Sequence, residues 1–177
     1  VDALCSQPFL AADPGGGFVA AWTQQDEIVK TNLTDIYVRR FSAAGLPSGV
    51  ENRHNVNVVG RQAAPKVAFL EGTALVAWET GSRNGSGYEI HARLLSGGAE
   101  FRVNTRTAFL QRKPVIIVPE NSFVVGWLDV LGAGKSILSG QQYRVGTGSG
   151  DVTSGAHVST TPMPTRTVIL TANRSTQ

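Results

Sequence analysis

The sequence has little cysteine, little charge and no long hydrophobic run. One cysteine, Cys5, among 177 residues cannot form an internal disulfide, which excludes a disulfide-stapled scaffold. No segment approaches the roughly 18 consecutive apolar residues of a membrane-spanning helix, so no transmembrane segment is predicted. The N-terminal segment lacks both the features of a signal peptide and an initiator methionine. We therefore expect a processed chain or a fragment.

Charged residues make up 16% of the sequence, below the roughly 25% usual for soluble domains. Lysine plus arginine number 16 and aspartate plus glutamate 13, which gives a formal net charge of +3. The basic residues are scattered and form no run, so the sequence predicts no nucleic-acid partner. With 41% hydrophobic residues, 20 glycines and 8 prolines, the composition is typical of one turn-rich globular domain over residues 1–177.

A repeat of roughly fifty residues runs through the chain, a period found in repeat architectures. A proline begins and a tryptophan ends three similar segments, Pro8–Trp22, Pro65–Trp78 and Pro114–Trp127, and Pro164 begins a fourth. The predicted repeat units are 8–64, 65–113, 114–163 and a partial unit 164–177. Because Trp22, Trp78 and Trp127 occupy the same place in each unit, a shared structural role in core packing is predicted.

Each unit offers four short candidate strands bounded by turn residues. The stretches FVAAW, LVAW and FVVGW are apolar on both faces, so such strands need cover on both sides. A stack of four-stranded sheets supplies that cover. The pattern predicts an all-β fold, a β-propeller-like array of about three blades plus part of a fourth, with a β-sandwich as the alternative. Closed propellers have roughly four to eight blades, so the array is expected to be incomplete on its own.

The best-preserved pieces are GGFVAAW with DIYVRRF in the first unit and GYEIHARLL with AEFRVNT in the second. In this order they resemble the repeats of large secreted or surface proteins, especially bacterial ones with hemolysin-type regions. The resemblance spans nearly the whole chain and implies β-propeller blades that act as a scaffold. It also implies a secreted or cell-surface location, and it says little about activity.

Metal and cofactor sites are not predicted. His54, His91 and His157 lie far apart in the sequence, and none has a nearby matching ligand. The loop that comes closest to a calcium-binding loop lacks the required density of carboxylates. Its acidic residues are Asp26, Glu27 and Asp35.

No local motif for nucleophilic catalysis is present, since neither G-x-S-x-G nor a sialidase-type S-x-D-x-G-x-T-W box occurs. The stretch GAGKS at 132–136 resembles the end of a phosphate loop, but that frame needs a glycine where the chain has Asp129. A turn between strands is predicted there instead. Carboxylates for glycoside hydrolysis can be distant in sequence, which keeps Asp13, Glu79 and Asp129 as candidates.

Polar residues that recur at equivalent strand positions are the candidate binding residues, although solvent-facing strand residues would give the same pattern. They are Arg39, Arg93 and Gln141 in one set, and Tyr37, His91 and Ser139 in another. Three N-x-[ST] triplets are candidate glycosylation sites, beginning at Asn32, Asn84 and Asn173.

Taken together, the sequence predicts a non-catalytic binding or assembly module and not an enzyme. The expected partner is another protein chain or further copies that complete the array, with a glycan as a second ligand class. Two alternatives stay open: a glycan-processing propeller enzyme whose carboxylates lie partly in other sequence, and a lectin ring built from several chains.

Overall fold

The fold is described from a computed structural model for residues 3–25, 32–70, 72–81, 87–146 and 157–159. These residues form twelve β-strands and no helix, which confirms the all-β prediction. The strands are β1 (Cys5–Ala12), β2 (Phe18–Gln24), β3 (Asn32–Phe41), β4 (Pro47–Arg53), β5 (Gly60–Leu70), β6 (Thr73–Gly81), β7 (Tyr88–Leu94), β8 (Phe101–Arg102), β9 (Leu110–Ile117), β10 (Phe123–Gly132), β11 (Lys135–Gly146) and β12 (His157–Ser159). No described helix could cross a membrane.

Consecutive strands pair antiparallel in groups of four, which we call meander 1 (β1–β4), meander 2 (β5–β8) and meander 3 (β9–β12). A short parallel contact between β3 and β5 joins the first two meanders into an eight-stranded mixed sheet. Meander 3 is a separate four-stranded sheet. The described residues form no closed barrel and no closed propeller ring.

Strand β6 shows why these strands are apolar on both faces. Ala74, Val76 and Trp78 belong to a hydrophobic cluster shared with meander 1. The alternate residues Leu75 and Ala77 belong to a second cluster, shared with meander 3. Since successive side chains of a strand point to opposite faces, the sheet of meander 2 is buried on both sides.

The repeat prolines Pro8, Pro65 and Pro114 lie inside the first strand of each meander and not at its beginning. The pairing register shifts at each proline, which marks a β-bulge. Proline has no backbone N–H, and at a bulge this absence breaks no hydrogen bond between the strands. The residue before each proline has a positive φ, which sequence rules disfavour at this position. These residues are Gln7 (52°), Ala64 (54°) and Lys113 (56°).

Two buried asparagines follow the fourth strands of meanders 1 and 2. Each hydrogen-bonds to the third strand of its own meander. The side-chain oxygen of Asn55 accepts a hydrogen bond from the backbone N–H of Ile36 at 2.7 Å. The oxygen of Asn104 accepts one from Ile90 at 2.8 Å. Each amide also donates to the backbone carbonyl two residues further along the chain. The stretches ENRHN and EFRVN thus end in residues that satisfy buried backbone donors.

The stretch GAGKS forms the hairpin turn between β10 and β11, as predicted. Ala133 and Gly134 lie between the two strands with φ values of 50° and 73°. Positive φ at both central residues is typical of the type I′ hairpin turn, whose twist matches the twist of the paired strands. This stretch therefore connects two antiparallel strands directly.

Candidate functional site

A pocket of about 390 Å³ lies between the β1–β2 turn and the β3–β4 turn of meander 1. Its lining includes Asp13, Arg40, Ser48 and two phenylalanines, Phe18 and Phe41. The phenylalanine rings stack at a centroid distance of 4.8 Å, with their planes 5° apart. Asp13 and Arg40 form an ion pair of 2.8 Å. The pocket thus combines apolar ring surface with a carboxylate, a guanidinium and a hydroxyl.

The glycine-rich turn AADPGGG fixes Asp13 at this pocket. The backbone N–H of Gly15 donates to the Asp13 side chain at 2.9 Å. Gly17 has a φ of +86°, and a Cβ there would lie 2.1 Å from the carbonyl oxygen of Phe41. Only glycine allows this close approach of the two turns. Asp13 is therefore held by the backbone on one side and by Arg40 on the other.

Glu79 is buried at the junction of meanders 2 and 3. One of its oxygens accepts the backbone N–H of Lys113 at 2.8 Å, and the other contacts Arg112 at 3.0 Å. Thr23 is its counterpart in meander 1, where its hydroxyl accepts the N–H of Ala64 at 3.1 Å. Each of these bonds satisfies the backbone N–H of the bulge residue with positive φ in the following meander. Glu79 therefore connects successive meanders.

Asp129 is buried within meander 3, where both of its oxygens accept hydrogen bonds. The indole of Trp127 donates at 3.0 Å and the hydroxyl of Ser139 at 2.5 Å. Asp35, at the beginning of β3, is also buried and accepts a 2.6 Å bond from the Asn55 amide. Sequence reasoning considered Asp35 only as part of a calcium loop and missed this contact.

The three carboxylates kept as glycosidase candidates each have their own hydrogen-bond partners. Asp13, Glu79 and Asp129 belong to three different meanders, and no hydrogen bond or ion pair described by the structure joins any two of them. A glycosidase needs two carboxyl groups roughly 5 to 10 Å apart across the bond that is cleaved. Of the three, Asp13 lines the pocket.

The tryptophans have equivalent pairing partners and unequal burial. Trp22 lies opposite Tyr37, Trp78 opposite His91, and Trp127 opposite Ser139. Trp78 and Trp127 are 0% and 5% exposed, whereas Trp22 is half-buried. Each indole N–H donates to a side-chain oxygen, of Gln24, Gln62 and Asp129 respectively.

The predicted binding residues occupy equivalent places but do not form one surface. Arg39, Arg93 and Gln141 each pair with the residue two positions before the repeat tryptophan. Arg39 and Arg93 use their Nε atoms to donate to a glycine carbonyl of their own meander, that of Gly49 in β4 at 3.2 Å and that of Gly98 in the β7–β8 connection at 2.8 Å. Arg93 also donates to the carbonyl of His54 at 2.8 Å. A binding role for these residues stays a prediction.

Several candidate residues lie outside the described part of the chain. They are Asp26, Glu27, Asn84 and Asn173, together with the side chains of Asn32 and His157. Among the residues that the structure does describe, no group of three or more histidine, cysteine or acidic side chains is placed to hold a metal ion.

The surroundings of His54 disfavour its charged form, whereas the surroundings of Glu100 favour its charged form. Burial lowers the pKa of His54 to about 4, and its ring lies edge-on to Trp78 at 5.9 Å. Burial alone would raise the pKa of Glu100. Hydrogen bonds from His91 and from the backbone N–H groups of Asn57 and Val56 outweigh it, so the pKa lies below the ordinary 4.5. His54 is therefore neutral and Glu100 charged at neutral pH.

The stability of the protein should fall between pH 6.5 and pH 4 because of His54. In this window the unfolded chain binds a proton that the folded state excludes, so the free energy of unfolding decreases as the pH falls. A pKa difference of this size between the unfolded and folded states lowers the free energy of unfolding by roughly 3 kcal/mol at pH 4. Urea unfolding at several pH values measures the slope.

The matched control for this effect is His54→Val, since Val103 occupies the same place in the second unit. This variant should flatten the slope above pH 4.5. Glu100 contributes below its ordinary pKa of 4.5, so the effect of His54 is measured in the part of the window above pH 4.5. An unchanged slope in the valine variant would show that another group causes the acid sensitivity.

Comparison with solved structures relates this arrangement to known proteins. The chain is similar in fold to a glycoside hydrolase. It matches an endo-1,4-beta-xylanase from Bacteroides thetaiotaomicron with a TM-score of 0.53 and 10% identity, covering 89% of this chain and 60% of that one. This chain therefore spans about three fifths of the xylanase. No family model and no curated protein matches the sequence.

Two further structures give TM-scores of 0.49. An alpha-L-arabinofuranosidase from Lactobacillus brevis has 10% identity, and the match covers 83% of this chain and 55% of that one. An endo-arabinase from Bacteroides thetaiotaomicron has 12% identity, and the match covers 84% of this chain and 58% of that one.

The comparison contradicts the predictions of a non-catalytic binding or assembly module and of a chain that is not an enzyme. Those predictions are wrong, because they rested on the absence of local catalytic motifs. An endo-1,4-beta-xylanase shares this fold at 10% identity. Glycosidase carboxylates converge from distant parts of a chain, so their absence as a local motif carries no weight.

Proposed function

We propose that this chain is part of a glycan-processing enzyme built on a propeller-type array of four-stranded meanders. The observation that carries the proposal is the fold likeness to an endo-1,4-beta-xylanase over 89% of the chain. In keeping with the resemblance to repeats of secreted and surface proteins, we propose a secreted or surface location. The substrate class is a polysaccharide.

The order and packing of the meanders support a propeller-type array over a β-sandwich. Meander 2 packs on meander 1 through one face and on meander 3 through the other. In a sandwich of two sheets, each sheet buries one face and exposes the other to solvent. Burial of both faces of β6 therefore favours a series of stacked sheets. Further copies or another chain would complete the array.

The pocket of meander 1 is the proposed contact site for the glycan. Sugar rings present hydroxyl groups and apolar C–H faces, which match the polar groups of Asp13, Arg40 and Ser48 and the phenylalanine rings. The lining contains one carboxylate, Asp13, whereas hydrolysis requires two. The second carboxylate would come from the remainder of the array.

Release of reducing sugar from xylan and arabinan tests the proposal. We expect sugar release by the protein once its array is complete. Asp13→Asn should reduce this release by about 100-fold or more if Asp13 transfers a proton. Asp129→Asn should reduce activity only as far as it reduces the folded fraction. Glycan binding without sugar release would favour the lectin alternative. Folded protein that neither binds nor cleaves any polysaccharide would contradict the proposal.

A further inference from the structure

We propose that meander 1 binds meander 3 of a second copy of this chain, head to tail, through its open face. The open face is the side of meander 1 that points away from meander 2, and its docking residues are Leu10, Trp22 and Tyr37. Phe18 and Phe41, at the turn end of the same side, line the pocket and are not part of this contact. The inference rests on the propeller-type array proposed above and identifies the partner that extends it.

Two interfaces within the chain follow one rule. The face of meander 2 that carries Trp78 packs against Val19, Ala21 and Ile36 of meander 1. The face of meander 3 that carries Trp127 packs in the same way against meander 2. The buried residues of meander 2 in that contact are small or aliphatic and include Leu75, Ala77, Ile90 and Ala92, and the partly buried Phe101 packs beside them. A tryptophan-bearing face is thus covered by an aliphatic face of the preceding meander.

On the open face, no aliphatic face formed by the described residues covers the tryptophan. Trp22 stacks on Tyr37 at a centroid distance of 6.2 Å. Neither residue belongs to the hydrophobic clusters formed by the described residues. Leu10 is 63% exposed on the same face. Arg39 lies on the same side of the sheet, next to these apolar residues. Apolar side chains left uncovered together on one face mark an interaction site.

The matching aliphatic face lies at the other end of the array, on the side of meander 3 that points away from meander 2. Val115, Ile117 and Leu138 are 47%, 60% and 37% exposed there. Along their strands these three residues alternate with residues on the side that faces meander 2. They therefore lie on the opposite side of the sheet. One chain therefore carries both halves of the interface that it already uses twice internally. A contact between such unlike faces is heterologous.

Sedimentation velocity tests the association between about 1 and about 100 µM, the range where an interface of modest affinity becomes populated. We expect the wild-type chain to associate with rising concentration. Leu10→Arg on the open face and Leu138→Arg on the aliphatic face should each leave a monomer. Val56→Arg is the matched control: Val56 is 59% exposed in the β4–β5 connection, and this variant should associate like the wild type.

Mixing the two interface variants separates head-to-tail contact from other modes. Leu10→Arg retains an intact aliphatic face and Leu138→Arg an intact open face, so an equimolar mixture should form a dimer that neither forms alone. Self-association that only Leu10→Arg abolishes would indicate pairing of two open faces and overturn the proposal.

Two further results would also overturn the head-to-tail contact. One is a wild-type chain that stays monomeric across the whole range. The other is quenching of Trp22 fluorescence by xylan without association, which would assign the open face to a glycan. Sugar release is measured separately on the same samples. A wild-type chain that releases sugar but stays monomeric therefore contradicts this inference and not the proposed function.

Discussion

Replacing Trp78 by alanine should lower the free energy of unfolding by about 3 to 5 kcal/mol, the cost of deleting a fully buried aromatic side chain. Trp78 is 0% exposed and fills the interface between meanders 1 and 2. Its indole also donates a 3.0 Å hydrogen bond to Gln62, and its ring contacts His54. A chain of this length should lose roughly 10 °C in Tm. Urea unfolding followed by far-UV circular dichroism measures the change.

Trp22→Ala is the control, since Trp22 occupies the same repeat position on a face that is not covered. Trp22 is half-buried, so its removal should cost only about 1 kcal/mol from the apolar area that it still buries. Both variants should be compared at low protein concentration, where association through the open face does not contribute. Equal losses in the two variants would mean that Trp22 is as well packed as Trp78, and that the open face does not exist.

Replacing Glu79 by alanine should cost about 2 to 4 kcal/mol of stability. The substitution leaves the backbone N–H of Lys113 without its acceptor and Arg112 without its counter-ion. The side chain of Arg112 is 37% exposed, so partial rehydration keeps the cost below that of breaking a fully buried pair. Glu79→Gln should cost about half as much, because an amide oxygen can still accept the Lys113 bond.

Glu89→Ala is the matched control for Glu79. Glu89 forms a 3.2 Å ion pair with Arg102 in which both side chains are partly exposed, and such pairs contribute roughly 0 to 1 kcal/mol. Sugar release by Glu79→Gln should fall only in proportion to the folded fraction. A variant that is fully stable but inactive would instead assign Glu79 a direct part in catalysis.

The bulges show where sequence rules fail. A residue before proline normally avoids helical conformations, so sequence predicts extended backbone at Gln7, Ala64 and Lys113. The structure places all three in the left-handed region. Side chains of Thr23 and Glu79 accept the N–H groups of Ala64 and Lys113 from the preceding meander. Contacts distant in sequence thus stabilise a conformation that local preference disfavours.

The candidate site could be predicted only in part. Sequence reasoning selected Asp13, Glu79 and Asp129 as carboxylates but could not rank them. The distinction depends on partners: Glu79 contacts residues more than thirty positions away, and Asp129 contacts Ser139 on the next strand. Asp13 lines the pocket because the two turns approach each other at Gly17. None of these contacts has a local sequence pattern.

The sequence by itself determined the all-β class, the repeated unit and the need of its strands for cover on both faces, because alternation and turn residues are local properties. It also placed the tryptophans at equivalent positions. Only the tertiary structure decided that Trp78 and Trp127 are covered while Trp22 lies on an open face. Burial depends on which sheet packs against which, and identical local patterns receive different neighbours along a stacked array.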